Sequence, residues 1–516
     1  MRRSLLSLFL ALLIIVQITP VLAADGPDHG SVFIANPMFP ETAEQPALFD
    51  AGEEPESLEN PPLEEGWLSV SQAAAQLRQA MVNRQTITEL YVDTGRYLRQ
   101  TVETPELSAW FNQEFIPLVY GYEYAQSPFE GDYLRWSWSG CNWNWETEDH
   151  QRFKLKITFT FFTTPEEEAY VHQQVAELAG TLGLANLAPL EAYTAIYDYI
   201  TTHVRYDIEG ENAYRDGDPS NDNDYIFSAY GALRDGAAVC QGFATLYYAL
   251  CRQADLPVRA LTTRTHIWNI VYLKDMWYEV DCTWDSLTSS HRQWFLLGRD
   301  AFEVRENHVP RPDYWDAAFF ARYPVSRYNY DPDIPFSDVP RSNYHYGNIK
   351  RACELGLFNG TDVYRFSPEE NISRAMLVTV LWRMEDKPWM DGNGGFSDVA
   401  EGEYYTTAVA WACKNGIVKG KEDNRFDPDG SCTREELVTF LCRYVSYLDK
   451  ITTGKAEVSR YTDWNEVSDW ARNAMAWAID NSIISGTTDT TLSPLEGAIR
   501  EQLATVLIRL IDRYQL

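Results

Sequence analysis

Between Cys240 and Leu250, the apolar residues Phe243, Leu246, Tyr247 and Leu250 fall at helical spacing. The small residues Gly236-Ala237-Ala238 just before them read as a loop, so the pattern predicts a helix that opens at Cys240. Downstream, residues 266–273 read as a strand, Lys274-Asp275 as a turn and residues 276–281 as the returning strand. Such a hairpin brings His266 near Asp281. Earlier in the chain the spacing predicts a helix over Ser71–Asn83 and alternating, strand-like segments over Tyr133–Trp138 and Phe153–Phe161. Thr164-Pro165 followed by Glu166, Glu167 and Glu168 marks another helix start, with proline and acids in the first turn.

At both ends the pattern changes. Met1-Arg2-Arg3, an apolar run from Leu5 to Val16, Pro20 and then Ala23-Ala24 predict a secretory signal peptide over residues 1–23. No cysteine follows the cut, which argues against a lipid anchor, and no later apolar run has the length of a membrane span. Residues 24–66 are rich in Pro, Glu and small residues and are expected to form a solvated linker. The C-terminal third repeats itself. Phe336-Ser337-Asp338, Phe396-Ser397-Asp398 and Tyr461-Thr462-Asp463 are each followed by a helical segment and a short turn, glycine-bearing in each case. Each unit then closes on a second apolar helix opened by Ser373-Arg374, Thr433-Arg434 or Ile499-Arg500. Units this small hold too little core to stand alone and are expected to pack together.

The chain has 516 residues and a formal net charge of −32. That length allows two to four domains. The charge argues against nonspecific binding of nucleic acid or anionic lipid, both of which need a basic face. Eight cysteines show neither framework spacing nor a CxxC pair, so no disulfide scaffold and no zinc site is expected, although a single disulfide stays open for an exported protein. Cys353, Cys413, Cys432 and Cys442 fall in slots that are apolar in the other repeats and read as core filler. The polar loop bearing Asp216, Asp218, Ser220, Asn221, Asp222 and Asp224 invites calcium. An EF-hand loop, however, needs glycine and glutamate where Asn221 and Phe227 stand, and a mobile loop is the better reading. No metal and no cofactor are expected. Trp136, Trp138, Trp143 and Trp145 have two readings, a sugar-stacking cluster or strand-face packing, and packing is favoured.

The first turn of a helix carries unpaired N–H groups and partial positive charge, and both favour a thiolate at Cys240. An imidazole oriented by an acid is the base such a nucleophile needs. Cys240 as nucleophile, His266 as proton carrier and Asp281 as orienting acid are therefore the candidate catalytic residues. The plainer readings are a cysteine acting as a small hydrophobe and a satisfied strand histidine.

Val239-Cys240-Gln241-Gly242-Phe243-Ala244, His266-Ile267-Trp268-Asn269 and Val280-Asp281-Cys282-Thr283-Trp284-Asp285, in that order, resemble the transglutaminase-like branch of the papain-type fold. The resemblance spans about residues 190–300 and implies thiol acyl transfer to an amine or to water, on a peptide or protein substrate. A catalytically silent peptide-binding or structural protein on the same fold is the alternative. The C-terminal units resemble the S-layer homology (SLH) domain in triplicate. That resemblance implies binding to secondary cell-wall polysaccharide carrying pyruvyl ketals, and a place on a bacterial cell wall. Arg374, Arg434 and Arg500 share one slot at the start of a helix and suit a carboxylate ligand, because a guanidinium is planar and always charged. Alternatively each pairs with an acid in its own repeat. Ile499 replaces Ser373 and Thr433 in the third unit and is expected to weaken that site.

The fold class expected is α+β, a papain-like domain plus an all-α bundle of three repeats. The expected layout is signal peptide 1–23, linker 24–66, an α+β lead-in lobe 67–165, a catalytic domain 166–330 and repeats over 335–390, 391–450 and 455–516.

Overall fold

The structure is a computed structural model. It describes residues 28–35, 66–100, 105–215, 224–263, 265–288, 292–303, 308–310, 317–450, 452–453 and 456–516. The chain divides into two compact units, Met1–Tyr330 and Asp331–Leu516. The expected signal peptide, most of the expected linker and the loop residues Asp216, Asp218, Ser220, Asn221 and Asp222 lie outside the described residues.

In the first unit, five strands pair in the order β1-β4-β5-β3-β2, where β1 is Asp28–Ala35, β2 Leu68–Ser69, β3 Ile87–Asp93, β4 Trp138–Thr147 and β5 Arg152–Phe161. Phe153, Leu155, Ile157 and Phe159 turn inward along β5, as the alternation requires. A helix, Val70–Val82, is opened by a capping box of Ser69 and Gln72 and buries Ala73, Ala74, Leu77 and Met81 in the same core. Two expectations are corrected here. Residues 28–35 form no linker; they pair antiparallel with β4 from Asp28↔Thr147 to Ala35↔Gly140. Acidic and proline-rich flanks hid a short β-prone run, Val32-Phe33-Ile34. Tyr133–Trp138 is not a strand, since Asp132–Arg135 is a helical turn and β4 begins at Trp138. Buried Asp132 accepts from Arg259 Nε at 2.7 Å and from the Ala260 amide at 3.0 Å, and those bonds fix the turn. Trp136, Trp138, Trp143 and Trp145 are all buried, as packing requires.

The remainder of this unit surrounds one helix, Cys240–Gln253. The helices Pro165–Thr181, Pro189–His203 and Ala229–Arg234 pack against it, as do the strands Val258–Thr262 and Ile267–Leu273 of a second, antiparallel sheet. A short pair, β6 (Arg205–Tyr206) and β7 (Ala237–Ala238), leads into it. The second sheet has the order β11-β10-β9-β8, with β8 Val258–Thr262, β9 Ile267–Leu273, β10 Met276–Val280 and β11 Phe295–Leu297. Every residue from Cys240 to Cys251 is buried, so the helix is central and not one-sided as its spacing suggested.

In the second unit each of the three repeats supplies two helices, and the second helix of each packs on the first helix of the next: Arg374–Met384 on Thr406–Lys414, Arg434–Tyr447 on Arg472–Asp480, and Arg500–Tyr514 back on Tyr346–Glu354. All three share one core. Backbone bonds close them into a ring. Cys432 N donates to Ile372 O, Ala498 N to Cys432 O, and Ile372 N to Ala498 O. Asp338, Asp398 and Asp463 play one role in the three units, each accepting from two successive amides of the loop that leads to its second helix. All eight cysteines are free.

Candidate functional site

Cys240 is the first residue of its helix, after Val239 in an extended conformation. Gly242, in the first turn, is required because a Cβ there would lie 2.7 Å from Ser228 O and 2.9 Å from Ile226 O. The close neighbour of that glycine is therefore the chain's own backbone. Gln241 is buried and donates from Nε2 to Trp136 O at 2.6 Å, which ties the start of the helix to the segment before β4.

His266 sits just before β9 and Asp281 just after β10. Lys274 and Asp275, both at positive φ, make the tight turn between the strands. The register Val280↔Asn269 then brings the two side chains together, with His266 Nε2 2.6 Å from Asp281 Oδ2. The other carboxylate oxygen, Oδ1, accepts from the amides of Thr283 at 2.9 Å and Trp284 at 3.4 Å, capping the helix Cys282–Ser286. The Cys240 thiol lies close enough to the His266 imidazole to favour its charged form. With Nε2 committed to the carboxylate, Nδ1 is the nitrogen left for sulfur. The structure thus brings Cys240, His266 and Asp281 together.

The electrostatics follow from this burial and pairing. Desolvation disfavours a charged His266, but the charge and hydrogen bond of Asp281, with the neighbouring Cys240 thiol, lift the imidazole to about 10. For Asp281, burial pushes upward, yet the His266 charge and the bonds from His266 and His308 hold it well below the usual carboxylate range. A proton is therefore held on His266, and negative charge on Asp281.

Two further groups were not found by sequence reasoning. His308 is fully buried, and its Nε2 lies 3.0 Å from the same Asp281 Oδ2. Glu279 is buried in β10, where its Oε2 accepts from Trp268 Nε1 at 2.7 Å; the Trp268 ring is nearly parallel to that of His266, with centroids 5.9 Å apart. Burial pushes Glu279 up to about 8 despite the Trp268 bond. No spacing rule points to His308; only its company of aromatic residues, Trp294 and Phe302, sets it apart.

His266, Asp281 and His308 each offer one ligand atom, all within 4.8 Å of one another. Two ligands of a tetrahedral zinc with bonds of ~2.0–2.1 Å stand about 3.3 Å apart. The contacts here are 2.6 and 3.0 Å, with both imidazoles directed at one oxygen. That is the geometry of two hydrogen bonds to a carboxylate.

The repeat arginines are buried and reach across to the next repeat. Arg374 Nε donates to Phe426 O, Arg434 Nε to Leu492 O and Arg500 Nε to Phe366 O, each at 2.7–2.8 Å. Arg434 Nη2 also donates to Ser485 O and Arg500 Nη2 to Asn359 O. The three differ in their remaining partner. Arg374 Nη1 meets the Glu436 carboxylate at 2.7 Å and Arg434 Nη1 meets the Gln502 amide oxygen at 3.2 Å, while the equivalent position for Arg500 is Met376. Among the described residues, neither Arg434 nor Arg500 has a carboxylate within 4.0 Å.

A model of the transglutaminase-like superfamily matches residues 177–282, a span that includes Cys240, His266 and Asp281 but not His308. A model of the S-layer homology domain matches residues 335–375, 395–438 and 460–504. An amylopullulanase of Thermoanaerobacterium thermosulfurigenes is 26% identical over 199 residues, 39% of this chain and 10% of that protein. A surface-layer 125 kDa protein of Lysinibacillus sphaericus is 26% identical over 174 residues, 33% of this chain and 14% of that protein. The chain thus spans a small fraction of the length of these relatives. Among solved structures, a crystal structure of a TGase aligns with a TM-score of 0.20 and 15% identity, covering 28% of this chain and 45% of that one. The chain joins a transglutaminase-like domain to three S-layer homology repeats, a composition that fits a cell-surface protein.

Proposed function

We propose that the first unit is a cysteine-dependent acyl-transfer enzyme and that the repeats hold it on cell-wall polysaccharide. The observation that carries the enzymatic reading is the 2.6 Å contact of His266 with Asp281 beside the Cys240 thiol. In this reading Cys240, as thiolate, attacks the carbonyl carbon of a carboxamide or peptide. The carbonyl oxygen takes up negative charge, which the first-turn N–H groups of the Cys240 helix stabilise. His266 passes its proton to the departing amine, leaving a thioester on Cys240. Neutral His266 then takes a proton from the acceptor, an amine or water, which attacks the thioester and frees the thiolate. Asp281 keeps the imidazole oriented and offsets its charge.

The test is incorporation of a fluorescent primary amine into a glutamine-bearing peptide, with ammonia release followed in parallel. Amine-dependent product identifies a transferase, and ammonia release without amine identifies an amidase. Loss of both in Cys240→Ala is the expected control, and unchanged turnover in that variant ends the reading.

For the anchor, the ligand class is a glycan bearing pyruvyl ketal carboxylates, and Arg374, Arg434 and Arg500 are its proposed binding residues. Their partners support a ranking. Glu436 already neutralises Arg374, Gln502 leaves Arg434 its charge, and Arg500 faces neither acid nor amide at that position. An anion is therefore proposed to prefer the Arg500 site, the reverse of the order suggested by Ile499.

A further inference from the structure

The carboxylate of Asp281 receives more donors than a Cys-His-Asp arrangement needs. Oδ1 takes two backbone amides, and Oδ2 takes both His266 Nε2 and His308 Nε2. The His266 and His308 rings stand at 80° with centroids 5.1 Å apart, so they meet at one oxygen and do not stack. His308 is boxed by Trp294, stacked at 4.7 Å, by the edge of Phe302 at 4.4 Å, and by Trp268 and Trp284 at 5.4 and 5.8 Å. That enclosure holds the ring in the orientation that aims Nε2 at Asp281.

We propose that His308 is a positioning residue whose N–H, placed on Asp281 Oδ2, limits the hold of that carboxylate on the His266 imidazolium, so that the proton can leave again. The proposal rests on the acyl-transfer reading above. A donor directed at an anion draws down the charge available to a second donor, and an N–H dipole beside His266 Nε2 disfavours positive charge there. Asp281 raises the basicity of His266; His308 lowers it again. Among the described residues, the charged and titratable groups around His266 are the Cys240 thiol from the central helix, Asp281 after β10 and His308. Glu279 lies behind Trp268, with Arg299 and Glu303 acting on Glu279 from the helix Arg299–Phe302 and its C-cap. Without His308, the imidazolium pairs more firmly with Asp281. A more firmly held imidazolium favours the anionic form of the neighbouring Cys240 sulfur, yet returns its proton more slowly to a leaving group, because an acid works best when its pKa lies near the operating pH.

The test uses the full chain. His266 is titrated by NMR with ¹⁵N-labelled histidine, Cys240 alkylation by iodoacetamide is followed against pH, and turnover is measured on a small acyl p-nitroanilide. In His308→Phe, which keeps the bulk and removes the donor, His266 should titrate about one pH unit higher and alkylation should extend to lower pH. Turnover should fall about tenfold, a fraction of the ~10²–10⁴ that acid–base catalysis supplies. His308→Gln, which keeps an N–H, should stay within about threefold of the parent. Should the Phe variant fail to fold, as judged by its melting curve, His308→Met removes the donor with less bulk. A folded variant in which His266 titrates where the parent's does, or in which alkylation and turnover fall together, overturns the proposal and leaves His308 as packing. Failure of the acyl-transfer reading shows separately: the parent would then give no turnover, while the His266 titration would still report whether His308 acts on it.

Discussion

Arg374 of the first repeat and Glu436 of the second meet at 2.7 Å, so one repeat supplies a carboxylate to the guanidinium of another. An external carboxylate at that site must displace one already in place. Glu436→Gln should therefore strengthen binding to purified cell-wall sacculi, and Arg374→Ala should weaken it little. A charge-assisted bond contributes ~1.5–3 kcal/mol, so loss of the Arg500 site should cost about tenfold or more in affinity. Because Arg500 also bonds the Phe366 and Asn359 carbonyls, the melting temperature of Arg500→Ala should be measured beside its binding. Equal loss from Arg374→Ala and Arg500→Ala would remove the ranking.

Alkylation should favour Cys240 over five of the other seven cysteines. Burial lifts the Cys141 thiol to about 12 and the Cys353 thiol to about 11, and holds Cys251, Cys282 and Cys432 well above the ordinary thiol range. Cys240 instead stands at a helix start beside an imidazole held in its charged form. Brief treatment with iodoacetamide at pH 6, followed by peptide mass analysis, should find the label at Cys240 and none at these five. His266→Ala should abolish labelling at that pH. Labelling of Cys251 at a similar rate would mean that the fold is opening.

What the sequence revealed and what it concealed have physical reasons. Cys240, His266 and Asp281 were legible because helix start, strand start and strand end are local patterns, and a tight turn fixes the hairpin. His308 was not legible, since it stands 27 residues beyond Asp281, outside regular structure, and only packing brings it to the carboxylate. Spacing shows which face of a helix must be covered, so the coverage of every face of the Cys240 helix could not be read from it. The repeats were plain from their recurrence. Their closure into a ring, with Arg500 returning to the Phe366 carbonyl, joins the last unit to the first, and no local signal encodes that.

Ile499 makes the third repeat a site for stabilisation. Ser373 and Thr433 accept from the amides of Met376 and Glu436, whereas the helix Arg500–Tyr514 has no side-chain cap. Ile499→Thr should supply one, with Gln502 at the third position to complete a capping box. The gain should be about 1 kcal/mol, read as a rise in denaturation midpoint of the C-terminal unit. No gain would mean that the Ile499 side chain contributes as much by packing as a cap would.

Glu279 provides a test in which pH sets the sign. Its folded pKa of about 8 lies above the ordinary carboxylate value of 4.5, so the folded state holds a proton that the unfolded chain releases. The stability this contributes is complete below about pH 4.5 and is lost progressively as pH rises toward 8. At pH 7 roughly 3 kcal/mol of it has gone, at 1.36 kcal/mol per pH unit. Glu279→Gln keeps an acceptor for the Trp268 indole, fills the same space and cannot ionise. Its stability relative to the parent should therefore grow steadily between pH 5 and 8 and then level off, as measured by urea denaturation at fixed temperature. His266 also contributes over part of this range, because its raised pKa supplies stability below about 6.5 that is lost as pH climbs toward 10. That contribution is common to parent and variant and cancels in the difference. A difference that stays flat with pH would show that Glu279 is ionised in the folded protein, its charge met by a partner other than Trp268.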